Sequence, residues 1–374
     1  MKKVLVPKVR FKGFGEEWKE EKIESFSKIT IGEFVIKTKQ NDFYEYPVYN
    51  GGITNTGFYK EYNNEGNKII VSARGANAGH INFIEKKYWA GNSCYSIDLI
   101  SNRQRDIKFI FYSMLINKNK FDDNKQVGTI PSVSLEDVRN FIIYFASYSE
   151  QQKIGKLLDQ ISNLITLEQS KLNKLKQLKE TLLQKMFPEG NSKTPRIRFK
   201  GFEGEWKEEK LEYIAKVTNG KSNTSDNNKW GQYNLYIRSE EIYKSNKYIF
   251  DVEGVITVGD GNIGKIFHYV NEKFDLHQRC YLIYEFQNIW PKYFYYYFSQ
   301  NFYKRAILMS YTATVNSIRI NTITDMDIMF PKELIEQQKI GDFFCKIDTL
   351  ISLYQSKLNK LKQIKEALLQ KLLI

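Results

Sequence analysis

From Glu150 onward apolar residues fall at every third or fourth position: Ile154, Leu158, Ile161 and Ile165, then Leu172, Leu175, Leu178 and Leu182, with Glu168 interrupting. This spacing predicts an amphipathic helix with a coiled-coil seam. A second stripe follows the same rule at Ile340, Phe344, Ile347, Ile351, Tyr354, Leu358, Leu361, Ile364 and Leu368. Each helix, unbroken over about 38 residues, would be about 57 Å long. One such helix cannot bury its stripe alone, so the simplest solution pairs the two along their length. Pro188-Glu189-Gly190-Asn191-Ser192 ends the first periodicity and reads as a linker. Elsewhere short β-branched and aromatic runs bounded by Gly and Asn, as at residues 68–73 and 254–258, predict strands, with helices near 106–115 and 291–298. The globular parts therefore read as α+β. The Tyr and Phe run at 293–298 reads as core rather than as a base-stacking platform, because aromatics at helical spacing more often pack inward.

The chain repeats itself. Pro7-Lys8-Val9-Arg10-Phe11-Lys12-Gly13-Phe14 recurs as Pro195-Arg196-Ile197-Arg198-Phe199-Lys200-Gly201-Phe202, and Glu17-Trp18-Lys19-Glu20-Glu21-Lys22 recurs unchanged at 205–210. The block at 170–180 matches that at 356–366 except that Leu178 becomes Ile364. Between these blocks the halves diverge while keeping nearly the same length. Fainter matches survive there: residues 70–81, with Arg74-Gly75-Ala76-Asn77-Ala78-Gly79, parallel residues 255–266, with Gly259-Asp260-Gly261-Asn262-Ile263-Gly264; Cys94-Tyr95 parallels Cys280-Tyr281, and Thr129-Ile130-Pro131-Ser132-Val133 parallels Thr314-Val315-Asn316-Ser317-Ile318. One duplicated fold, with surfaces altered separately, accounts for this pattern. The near-identical parts should do a shared job and the divergent parts distinct ones.

Composition narrows the partners. Across 374 residues, 42% hydrophobic and 15% aromatic content is ample for two or three packed domains. A formal charge of +13 favours polyanions: nucleic acid first, an anionic membrane surface second, acidic proteins third. The longest apolar stretches fall far short of the roughly 20 residues a bilayer needs. Met1-Lys2-Lys3 followed by Val4-Leu5-Val6 mimics a signal start, but Pro7 and Arg10 cut it short, so no export is expected. Cys94, Cys280 and Cys345 form neither a disulfide framework nor a CxxC pair, in keeping with a reducing cytoplasm. His80, His268 and His277 are too few for a His-rich metal site or a His-based triad.

Enzymatic motifs fare poorly. Gly259-Asp260-Gly261-Asn262-Ile263-Gly264 satisfies GxGxxG, yet the following Lys265-Ile266-Phe267-His268-Tyr269-Val270 reads as a strand, so a turn between strands is the better account. There is no P-loop, and no Pro-Pro pair of the kind a DNA amino-methyltransferase needs. Glu17-Trp18-Lys19 fits a nuclease Glu-x-Lys only at chance level in so Lys- and Glu-rich a chain. A self-contained DNA-modifying or DNA-cleaving enzyme is the competing class, and a coiled-coil scaffold whose basicity serves another polyanion is a second. What remains is a basic set of Asn-, Ser- and Gly-rich turns on two sibling domains. Lys and Arg hold phosphates, while Arg, Asn, Gln and Lys read base edges. The candidate DNA-binding residues are Lys37, Lys39, Asn50, Arg74 and Asn77 in the first half, and Arg238, Asn262, Lys265, Asn316 and Arg319 in the second. The Lys-rich helical blocks at 171–179 and 357–365 read as solvated faces beside the seam, or as a partner surface.

With the paired Arg-Phe-Lys-Gly-Phe and Glu-Trp-Lys openings, Glu150-Gln151-Gln152-Lys153-Ile154 with its copy Glu336-Gln337-Gln338-Lys339-Ile340, and helical blocks closing on Leu182-Leu183-Gln184-Lys185 and Leu368-Leu369-Gln370-Lys371, the chain resembles the specificity subunit of type I restriction-modification systems over essentially its whole length. The resemblance implies two α/β target-recognition domains, at 1–149 and 195–335, separated by two helices, at 150–187 and 336–374, that form an antiparallel coiled coil, with a linker at 188–194. It also implies that each domain reads one half of an asymmetric bipartite site on double-stranded DNA. The helices would act as a spacer and dock two modification subunits, and restriction subunits would join that core. On this reading the chain is non-catalytic, holds no cofactor or metal, acts in the cytoplasm in host defence, and leaves S-adenosylmethionine, ATP and Mg²⁺ to its partners.

Overall fold

The computed structural model describes residues 5–100, 104–124, 130–312 and 316–374; Met1 to Val4, Thr129, Thr314 and Val315, on which part of the sequence reading falls, lie outside them. The chain divides into two compact units, Met1–Gln169 with Lys357–Ile374, and Ser170–Ser356.

In the first unit the strands are β1 (Lys19–Lys22), β2 (Ser27–Ile31), β3 (Tyr46–Tyr49), β4 (Phe58–Tyr59), β5 (Lys68–Ser72), β6 (Ile81–Ile84), β7 (Trp89–Ala90), β8 (Cys94–Leu99) and β9 (Ile142–Phe145). Helices α1 (Ile107–Ile116), α2 (Asn119–Asn124) and α3 (Leu135–Arg139) precede β9, and α4 (Tyr148–Met186) follows it. The main sheet has the order β2-β8-β5-β6, a second sheet has the order β4-β3-β7, and β1 pairs with β9. The expected helix at 106–115 starts one residue later because Asp106 is its N-cap, its carboxylate accepting from the Phe109 N–H at 2.8 Å.

In the second unit β10 (Lys207–Lys210), α5 (Leu211–Ile214), β11 (Lys216–Asn219), β12 (Tyr233–Tyr236), β13 (Ile242–Ser245), β14 (Phe250–Val258), β15 (Phe267–Leu276) and β16 (Cys280–Tyr284) lead to α6 (Pro291–Leu308). Then come β17 (Tyr311–Thr312), β18 (Asn316–Ser317), α7 (Ile320–Thr324), β19 (Asp327–Phe330) and α8 (Leu334–Leu372). The sheet order β11-β16-β14-β15 repeats that of the first unit, and β10 pairs with β19 as β1 does with β9. The units differ where β6 and β7 are separate strands in the first, whereas the ten-residue β15 runs on to pair with β12, giving one six-stranded sheet. As the strand read at 265–270 implied, the GxGxxG segment is a turn between two antiparallel strands and opens no helix. The aromatic run on α6 is core: Tyr293, Phe294 and Phe298 are fully buried and Tyr296 and Tyr297 nearly so.

The two long helices pair within each unit. In the first, Ile154 and Leu158 of α4 share a core with Leu372, the last residue of α8, and Leu373 just beyond it, while further along α4 Glu168 accepts from Lys357 at 3.1 Å. In the second, Phe187, just past the end of α4, stacks on Phe344 with ring centroids 5.9 Å apart, while Lys179, about two turns earlier, meets Asp348 at 2.5 Å. Rising numbers on one helix meet falling numbers on the other in both units, so the strands of the seam run antiparallel. Of the expected seam, Leu172, Ile340, Phe344, Ile347 and Leu358 are buried, and Ile161, Ile165, Leu175, Leu182, Ile351, Tyr354, Leu361 and Leu368 are half-buried. Leu178 and its counterpart Ile364 are not seam positions: they stand 50% and 49% exposed. Between the half-buried Leu175 and Leu182 the residue that turns inward is Lys179, paired with Asp348, and between Leu361 and Leu368 it is the half-buried Lys365, four rather than three positions on.

The repeated sequence blocks lock each globular fold to its helix. Arg10 donates from Nε and Nη2 to the two carboxylate oxygens of Glu150 at 2.9 and 2.6 Å, and from Nη1 to the Glu16 carbonyl at 2.7 Å. Arg198 does the same to Glu336 at 2.7 and 2.8 Å and to the Gly204 carbonyl at 2.6 Å. Both carboxylates are buried, and a fork-to-fork pair satisfies both oxygens at once. The next residue completes the joint: Gln151 accepts from the Asp106 N–H and donates to the Ala146 carbonyl, as Gln337 accepts from the Trp290 N–H and donates to the Pro331 carbonyl. Gly155 and Gly341 let α1 and α6 approach; a Cβ there would lie 3.0 Å from the Phe109 nitrogen and 2.9 Å from the Tyr293 nitrogen. These motifs are thus structural fasteners.

Candidate nucleic-acid interface

In each unit a glycine-rich turn between two strands is cross-linked to the loop that follows the mid-domain helix. In the first, Gly75 donates to the Pro131 carbonyl at 3.0 Å and Val133 donates to the Ala73 carbonyl at 2.9 Å. In the second, Gly261 donates to the Asn316 carbonyl at 2.9 Å and Ile318 to the Gly259 carbonyl at 2.9 Å. Gly75 and Gly261 sit at φ +94° and +76°, a left-handed conformation that glycine adopts without strain. The repeated Cys-Tyr pair explains itself here. Tyr95 donates its hydroxyl to the Val133 carbonyl at 3.3 Å and Tyr281 to the Ile318 carbonyl at 3.2 Å, so each tyrosine pins the same loop. Burial pushes both neighbouring thiols, Cys94 and Cys280, up to about 12, which leaves them protonated packing groups at neutral pH.

On this common frame the chemistry differs. Where the first unit has Arg74, bridged through its backbone to Ser132, the second has Asp260, bridged to Ser317. Arg74 is exposed and forms no ion pair among the described residues. Asp260 is nearly buried and draws in two cations: Arg238 Nη1 lies 3.1 and 3.2 Å from its oxygens and Arg279 Nε 4.0 Å away. The Arg238 and Arg279 side chains remain 47% and 63% exposed, so they reach outward while anchored at one carboxylate. Below them His277 accepts the Arg279 N–H at Nδ1 (3.0 Å). Burial first, and the nearby Arg238 and Arg279, lower its basicity below the ordinary 6.5 despite Asp260. Asn219, Gln278, Arg279, Tyr281, Ser317 and Arg319 line a groove of about 660 Å³ beside this cluster.

Of the sequence candidates, Arg238, Asn262, Asn316 and Arg319 lie on or next to the second unit's cross-linked turns. Lys265 is exposed at the end of the same turn, its ammonium 5.4 Å from the Tyr303 ring centroid. Arg74 and the half-buried Asn77 occupy the equivalent turn of the first unit. Asn50 is committed internally: its Oδ1 accepts from the Ser93 N–H at 3.3 Å, bracing the approach to β8. Lys37 and Lys39 sit exposed on a separate one-turn 3₁₀ segment, Lys37–Lys39, before β3. Gln278 and Arg279 were missed. Their signal was the duplicated Cys-Tyr, which places Gln278-Arg279 opposite Asn92-Ser93 in the first half.

No group of three or more His, Cys, Asp or Glu placed to hold a metal ion occurs among the described residues, and no described helix is long and apolar enough to cross a membrane. The family model "Type I restriction modification DNA specificity domain" matches residues 15–177 and 203–363. A protein named as a type I specificity subunit of Mycoplasma genitalium is 25% identical over 195 residues, 50% of this chain and 51% of that protein. The type I restriction enzyme EcoDI specificity subunit of Escherichia coli is 31% identical over 166 residues, 44% of this chain and 35% of that protein. The chain therefore spans about half, or less, of the length of these curated relatives. The crystal structure of a type I restriction-modification system S subunit from M. genitalium shares the fold, with a TM-score of 0.80 at 18% identity over 99% of both chains. With both halves matched by one family model on one repeated frame, the chain belongs to the type I restriction modification DNA specificity domain family.

Proposed function

We propose that this chain is the non-catalytic, DNA-reading specificity subunit of a type I restriction-modification complex in the cytoplasm, each unit reading one half of an asymmetric bipartite site on double-stranded DNA. The observation that carries this is the pair of cross-linked turns: the same backbone hydrogen bonds present a lone Arg74 in one unit and a carboxylate-anchored Arg238 and Arg279 in the other. Guanidinium groups on rigid turns suit paired hydrogen bonds to base edges, and different placements suit different bases. Unlike readers require unlike half-sites, whereas a symmetric dimer would require a palindrome.

The domains at 1–149 and 195–335 would read, and the helices at 150–187 and 336–374 would set the number of unread base pairs and dock two modification subunits. Support for two equal docking sites is a repeated patch: Leu164 and Leu167 stand exposed on α4 in the first unit, Leu350 and Leu353 on α8 in the second. Methyl transfer from S-adenosylmethionine to adenine, ATP-driven translocation and Mg²⁺-dependent cleavage by restriction subunits would belong to the partners. Mapping modified adenines in DNA exposed to the chain with its modification subunits tests this reading. Two unlike half-sites at fixed spacing are expected, and one heptad inserted after Leu172 should shift that spacing or abolish modification. A palindromic site, or unchanged modification of the original site by the insertion variant, would overturn it.

A further inference from the structure

The units carry another matched feature, away from the glycine-rich turns. Ahead of β3, Asn41 Oδ1 accepts from the Phe43 N–H at 3.1 Å; ahead of β12, Asn228 Oδ1 accepts from the Trp230 N–H at 3.0 Å. Asn41 donates its own N–H to the Phe58 carbonyl at 2.9 Å and Asn228 to the Lys244 carbonyl at 2.8 Å. The chain closes back on each asparagine, Tyr44 N–H to the Asn41 carbonyl at 3.0 Å and Gly231 N–H to the Asn228 carbonyl at 2.8 Å. The same turn is therefore built twice. At its tip Phe43 is 96% exposed and Trp230 85% exposed.

Around these turns both copies keep Asn-x-aromatic followed by two tyrosines on the next strand, Tyr46 and Tyr49 in one and Tyr233 and Tyr236 in the other, while the residues between have diverged. Neither ring joins a core, and a large ring held in water by a defined turn, at one place in two copies, points to a partner that covers it. Charge indicates which partner. Exposed Lys37 and Lys39 precede Phe43 without an ion pair among the described residues, and Lys229 lies with its ammonium 5.6 Å from the Trp230 ring centroid. Asp42 and Glu45 flank Phe43, so at that turn the attraction to phosphate comes from the two lysines. A cation beside an unburied ring matches a duplex, which sets phosphates next to the apolar faces of its base steps.

We propose that Phe43 and Trp230 are aromatic wedges, each packing against a base step of the double-stranded DNA that its own unit reads. This rests on the DNA-reading function proposed above and adds the residues that deform or grip the duplex. Proteins that insert apolar side chains at base steps partly unstack them, which 2-aminopurine placed at the step reports as a rise in fluorescence.

The test uses the chain assembled with its modification subunits and DNA carrying the mapped site. Trp230→Ala should weaken binding about tenfold, within the range that loss of one base–aromatic contact produces, and abolish the 2-aminopurine signal in one half-site only. Trp230→Phe should keep both, and Phe43→Ala should act on the other half-site. Because both rings are exposed, melting of the variants should match the parent, which separates this effect from misfolding. Wild-type affinity with unchanged 2-aminopurine signals in both alanine variants would overturn the inference, as would loss of assembly with the modification subunits without loss of DNA contact, which would make the rings a protein-docking feature. If the unsubstituted complex selects no half-site at all, the DNA-reading function itself fails and the wedge with it.

Discussion

At one backbone position the first unit carries Arg74 and the second Asp260, yet the hydrogen bonds around that position are the same. The contrast with the fasteners is sharp: Arg10 with Glu150 and Arg198 with Glu336 repeat donor for donor. Residues that hold the fold together have been kept, and the side chains on the rigid turns have been exchanged, an exposed Arg74 for a nearly buried Asp260 of opposite charge. A turn whose shape is fixed by glycine and main-chain bonds tolerates such exchange because its backbone frame does not depend on which side chain stands at that position.

The largest expected effect tests the shared half of this comparison. Arg10→Ala leaves Glu150 buried without its cation and should cost the first unit roughly 3–5 kcal/mol in denaturant unfolding; Arg198→Ala should cost the second unit about the same. Unequal losses would show that the two joints are not equivalent. A smaller effect should separate the units by pH. His277 has its proton affinity lowered by folding, so the unfolded chain binds the extra proton first and stability falls as pH drops through about 6.5 toward the folded value. Protonation would also remove the acceptor for Arg279 and add a third positive charge beside Arg238 and Arg279. Thermal melts of the parent should therefore lose stability between neutral and mildly acidic pH, and His277→Gln should flatten that slope; an unchanged slope would remove His277 from the account.

Much of the architecture was legible in the sequence because it rests on periodicity and repetition. The seam residues Ile154, Leu158, Ile340 and Phe344 are buried as their spacing requires, and the GxGxxG segment is a turn because a strand follows it. The fasteners were visible only as repeated words: Arg10 and Glu150 are far apart in sequence, and nothing local announces that one forks onto the other. Leu178 and Ile364 misled because the inward position beside them is held by Lys179 and Lys365, and a stripe read from apolar residues passes over a lysine. Asn50 looked like a reader by residue type, but its side-chain oxygen is occupied by the Ser93 N–H, a contact no local pattern encodes. Phe43 and Trp230 were findable, since Asn-x-aromatic recurs ahead of equivalent strands, but the match is short and its meaning depends on exposure.

The central claim is that one scaffold, built twice, reads two different half-sites with side chains that are not shared. It is tested most directly by sequencing modified adenines after exposure of random-sequence DNA to the assembled complex carrying either Arg74→Ala or Arg279→Ala. The account predicts that Arg74→Ala relaxes base preference in one half-site and Arg279→Ala in the other, with spacing unchanged in both. Relaxation of the same half-site by both substitutions, or of neither, would contradict it.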